Sequence, residues 1–173
     1  NPNYSSKSII TIPVVVHVVW KNPVQNISDA QILSQIDVLN KDFRKLNIDT
    51  INTPTVWQPI ATDCEIEFCM ATIDPNGNAT TGITRTQTTV NSFGMQGDYM
   101  KHTSNGGIDG WPSDDYLNIW ICNLDNLLGY SIEKVSTFAC LIAIPSKPGN
   151  ACPLVIEVSH PVEEILTFLI VSK

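Results

Sequence analysis

"IITIPVVVHVVW", residues 9–20, is dense in β-branched side chains and is bounded by Lys7 on one side and Lys21-Asn22-Pro23 on the other. Ile, Val and Thr are stiff at χ1 and fit a pleated, packed surface, so the run reads as a long central strand. His17 interrupts the valines, and no second ligand lies at strand or helical spacing from it. It therefore reads as a core or strand-face histidine rather than a metal ligand.

The segment after this strand changes period. Ser28 followed by Gln31 forms a capping box, which predicts a helix start. Ile32, Ile36, Leu39, Phe43 and Leu46 then recur at steps of four and three, one apolar stripe, while Asp37, Lys41, Arg44 and Lys45 are expected to face outward. Residues 48–62 hold Pro54 and Pro59 and read as an irregular connection. "CEIEFCMATI" (64–73) alternates as a strand does. "DPNGN" (74–78) supplies a turn built on Asn76-Gly77, and "GITRTQTTV" (82–90) is expected to return along the preceding strand as its hairpin partner. Asp74, Asn76 and Asn78 imitate the opening of a calcium loop, but no glutamate follows at the required distance.

Residues 92–115 carry Gly94, Gly97, Gly106, Gly107, Gly110 and Pro112, and read as a long surface loop. His102, Asp109, Asp114 and Asp115 fall in it as solvated residues, with a cation site as the alternative. "YLNIWICNL" (116–124) then returns to a buried strand. Strand, helix, strand, turn, strand, loop, strand is the order of an α+β fold with a twisted mixed β-sheet and a packed helix.

Composition narrows the function. A formal net charge of -7 over 16% charged residues leaves no basic cluster to track a phosphate backbone, which excludes nucleic acid as a partner. No apolar run approaches the roughly 20 residues of a membrane span. The five cysteines form no C-x-x-C pair, which argues against a zinc ribbon or thioredoxin-type centre. Cys69 and Cys122 sit in strand-like apolar runs, where buried thiols are common. Three sequons, at Asn3, Asn26 and Asn78, permit glycosylation on a eukaryotic secretory route.

Five blocks, "IPVVVHVVW", "ISDAQILSQIDVLNKDFRKLN", "IEFCMATIDPNGNATTGITRT", "GGIDGWPSDDYLNIWICNL" and "LLGY", resemble in order and spacing the N-terminal subdomain of the pappalysin-type metzincins. The resemblance covers residues 10–130, about 70% of the chain. It implies a zincin-like fold, secretion, protein or peptide substrates, and a zinc ion held in the motif H-E-x-x-H-x-x-G/N-x-x-H. Two histidines four apart stand on one face of a helix, and the glutamate between them takes a proton from the zinc-bound water.

In that alignment the motif falls on "VSHPVEEILTF" (158–168). His160 takes the place of the first zinc histidine and Glu164 that of the second, so these two are the candidate metal ligands. Pro161 stands where the family has its catalytic glutamate, and Ile170 where the third histidine belongs. Proline has no carboxylate, and its ring disfavours helical geometry at His160, at about 3 kcal/mol or more within a helix. The plainer reading is a helix N-terminus with proline in its first turn and acidic residues favoured by the dipole. The family's C-terminal subdomain has no counterpart in these 173 residues. The resemblance thus implies a zinc endopeptidase relative that is inactive as it stands. The alternatives are a secreted peptide-binding module and an enzyme using His160, Glu164 and either His102 or His17.

Organisation follows the same division: residues 1–130 form the pappalysin-like subdomain, and 131–173 a diverged or frame-shifted tail. Abrupt loss of resemblance after one point is what a shifted reading frame produces. The coding DNA tests this, because an alternative frame must restore H-E-x-x-H downstream.

Overall fold

The computed structural model describes residues 8–125, 129–131 and 154–157. It contains two compact units, one of Asn1–Ile12 with Ser28–Cys69 and the other of Pro13–Ile27 with Met70–Lys173. Strand β1, Ile10–Trp20, begins in the first and runs on in the second.

In the first unit, helix α1 spans Asp29–Phe43, and the Ser28 hydroxyl accepts from Gln31 N at 3.3 Å as its N-cap. Ile32, Ile36, Leu39 and Phe43 are buried along the expected stripe. Leu46 departs from it: the helix ends at Phe43, Lys45 turns left-handed at φ 53°, and Leu46 is 72% exposed. Asp37 and Lys41 pair on the outer face. Arg44 does not simply face outward; it binds Asp63 at 3.0 Å and also Glu67. Strand β2, Ile66–Met70, meets the helix where the Phe68 and Phe43 rings stand edge to face at 4.9 Å. Cys69 is exposed rather than buried, because it points away from that contact.

In the second unit the turn at 74–78 forms as read. Asp74 N donates to Asn78 O at 2.8 Å, Gly77 sits at φ 83°, and the Asp74 carboxylate accepts from Asn76 N and Asn78 N. The chain beyond it does not return as a hairpin. A single antiparallel bridge, Ile73 to Ala79, is followed by a crossing, and β3 (Ile83–Gln87) lies parallel to β1 with Val16 opposite Ile83. Gly82 makes the crossing possible. At φ 73° its Cα passes so close to the strands that an added Cβ would lie 2.8 Å from Ala71 N and 3.0 Å from Val14 O. Ala71 N takes Val14 O, then Gly82 O takes Val16 N, so the edge of β1 passes from one partner to the next.

On the other edge of β1, β4 (Leu117–Ile121) runs parallel, Val14 opposite Leu117. The short strands β5 (Gly129–Ser131) and β6 (Leu154–Glu157) complete the sheet, β6 antiparallel to β4 and parallel to β5. The fold is thus α+β with a mixed sheet and a packed helix, as expected. Of the tail after residue 130, only Ser131 and Leu154–Glu157 are described.

The glycine-rich stretch 92–115 is more than a surface loop. Phe93 and Met100 are buried in one cluster with Val19, Trp120, Cys122 and Leu124, and Ile108 packs against it. Gly107 is pressed onto the Met100 carbonyl, 2.1 Å from where a Cβ would stand. Among the described residues no helix is long and apolar enough to cross a membrane.

Candidate functional site

Among the described residues of the second unit, β1 and β4 build a buried polar network. Their register sets His17 opposite Trp120, while on the other side His17 faces Thr84 of β3. His17 Nδ1 lies 2.7 Å from the Thr84 hydroxyl and Nε2 lies 2.9 Å from Asn118 Oδ1. The Asn118 amide donates to Trp111 O at 3.0 Å and Tyr116 O at 3.3 Å, so its oxygen is the acceptor, and it also receives Trp111 N at 2.7 Å. It follows that Nε2 carries a proton; in the neutral ring, which burial favours, Nδ1 then accepts from Thr84.

Aromatic rings close the network. Trp120 lies 5.0 Å from the imidazole, Trp111 meets it edge-on at 6.2 Å, and Tyr116 stands edge to face with Trp111 at 5.0 Å. Through Asn118 the turn from Trp111 to Tyr116 is fastened to the sheet. Sequence reading missed Asn118; an asparagine within the apolar run "YLNIWICNL" was its signal, since a buried amide must satisfy several hydrogen bonds.

Burial holds the His17 pKa below its ordinary value, partly offset by the hydrogen bond to Asn118. An unfolded imidazole titrates near 6.5, so below that pH the unfolded chain binds a proton that the folded chain refuses. Stability is expected to be full above about pH 6.5 and to fall as the pH drops, by up to about 1.4 kcal/mol one unit lower. Urea unfolding at pH 7.5 and 5.5 checks this, and His17→Gln is expected to flatten the dependence. Asp63, Asp74 and Asp109 do not blur the window, because backbone or side-chain hydrogen bonds hold their carboxyls below the usual range.

As candidate ligands the described residues do not fit a metal centre. Both ring nitrogens of His17 are engaged. His102 is exposed on a short turn, Asp109 is tied to the Thr103 amide at 3.2 Å, and Asp114 and Asp115 are exposed. No group of three or more His, Cys, Asp or Glu is placed to hold a metal ion among the described residues. The sequence candidates His160 and Glu164, like Pro161, Ile170, Cys140 and Cys152, lie outside the described residues.

No protein-family model matches the chain, and no curated protein matches it. Solved structures do. Mirolysin in complex with compound 9 is 46% identical over 87% of this chain, with a TM-score of 0.71. The chain is a mirolysin-like metallopeptidase N-terminal subdomain. Mature mirolysin of Tannerella forsythia in complex with a cleaved peptide gives the same values, and both matches span 53% of the mirolysin chain. A promirolysin mutant from the same organism matches equally over 47% of its length. The chain thus spans about half the length of the mirolysin structures it matches. In the mirolysin-like subdomain the buried His17–Asn118 network is framework: it fixes two strands and the Trp111 turn, and leaves no nitrogen lone pair for a metal.

Proposed function

We propose that this chain is a secreted relative of the pappalysin-type zinc endopeptidases that retains the subdomain over a peptide-binding cleft and does not hydrolyse peptide bonds as it stands. The observation that carries the family part is the 46% identity to mirolysin, a protein seen with a cleaved peptide. The inactive part rests on "HPVEE" (160–164). Pro161 at the position of the general base has no group to take a proton from water, and Glu164 with His160 makes two ligands where the family has three histidines. Peptide binding without turnover is the role this combination leaves.

A peptidase assay on the purified chain with a mixed fluorogenic peptide set, with and without chelator, tests it. No hydrolysis above the chelated blank is expected. Cleavage that the chelator abolishes would overturn the inactive reading.

A further inference from the structure

Strand β2 has two edges, and one of them turns away from β1. Glu65 O accepts from Ile10 N and Ala71 N donates to Val14 O, so the odd-numbered residues present their backbone groups to β1. By the alternation of a strand, Phe68 presents its N–H and C=O to the opposite edge. There the side chain of Asn40, on α1, takes both: Phe68 N donates to Asn40 Oδ1 at 2.7 Å, and Asn40 Nδ2 donates to Phe68 O at 2.9 Å. A side-chain amide thus occupies the place of a neighbouring strand's peptide group.

Nothing else about "IEFCM" (66–70) discourages strand addition. It contains no proline or lysine, and its one charge, on Glu67, is paired with Arg44. Unprotected edges of this composition are templates for pairing, and the partner always available at the same concentration is the same strand of another molecule. We propose that Asn40 closes the outer edge of β2 against pairing with β2 of a second copy of this chain. Asn40 is in that sense a positioning residue for the sheet edge, with the helix as its mount.

Sedimentation velocity on the full chain over a range of concentrations tests the proposal. Asn40→Ala is expected to show an apparent mass that rises with concentration toward twice the wild-type value, together with faster exchange of the Phe68 amide. Met70→Pro, which deletes the next N–H on the same edge, is expected to return the double variant to wild-type sedimentation. Asn40→Asp keeps an acceptor for Phe68 N–H but loses the donor to Phe68 O, and serves if the alanine variant does not fold; a smaller rise is expected from it. Wild-type sedimentation by the folded Asn40 variants at every concentration overturns the proposal. So does association that Met70→Pro leaves unchanged, since it would then run through another surface.

Discussion

Trp120→Ala is expected to lower the unfolding free energy by about 3–5 kcal/mol, the range for deleting a buried large aromatic side chain. The indole is 1% exposed and shares its cluster with Val19, Phe93, Met100 and Cys122. Its face lies 5.0 Å from the His17 ring, and the Lys101 ammonium stands 5.5 Å from its centroid. Its Nε1 donates to Ile108 O at 3.0 Å, so truncation both opens a cavity and strips a donor from a loop carbonyl. Gly110 lies along the ring edge, where an added Cβ would stand 3.0 Å from it, and has no side chain with which to fill the void. Urea denaturation reads the loss as a fall in midpoint. Trp120→Phe is expected to lose less, because a ring remains and only the hydrogen bond and part of the volume go. A change below about 1 kcal/mol on Trp120→Ala would mean that the stretch 92–115 does not pack as described.

Asn118→Leu is the second large effect. The shape is nearly kept, but four polar groups lose their partner at once: His17 Nε2–H and Trp111 N–H lose an acceptor, and Trp111 O and Tyr116 O lose a donor. A buried polar group left unsatisfied costs about 1–3 kcal/mol, and water reaching the Trp111 side relieves part of it. A net loss of about 3 kcal/mol is expected. Hydrogen exchange distinguishes this from simple repacking, since the Trp111 amide is expected to lose its protection before the amides of β1 do. Equal loss of protection at both would contradict the role given to Asn118 as the fastener of that turn.

The parts of the fold that were legible in the sequence are those whose cause is local. The valines of β1 and the Ser28 cap with its stripe act within a few residues, and both elements stand where they were expected. The end of α1 was misjudged by one turn, because Leu46 continues the period while the left-handed Lys45 and the Arg44 pairing with Asp63 end it. Asn76-Gly77 announced a turn, but a turn does not say which strand the chain pairs with next; the tight crossing at Gly82 decides that. Phe93 and Met100 lie in glycine-rich chain without any period, so their burial left no pattern to read. At the site, His17 was recognisable as a core residue. Its partners are 67 and 101 positions away, beyond what spacing can show. The metal candidates His160 and Glu164 were legible only through the family resemblance, and they lie outside the described residues.

Zinc content measures the central claim most directly. The purified chain is equilibrated with excess zinc, desalted and analysed for metal by mass spectrometry alongside its His160→Ala variant. Zinc far below one ion per chain, unchanged by the substitution, is the expected result, because Glu164 and Ile170 stand where the family has its second and third zinc histidines and leave the ligand set incomplete. One zinc per chain, lost on replacing His160, would contradict the account and make the segment a working metal site.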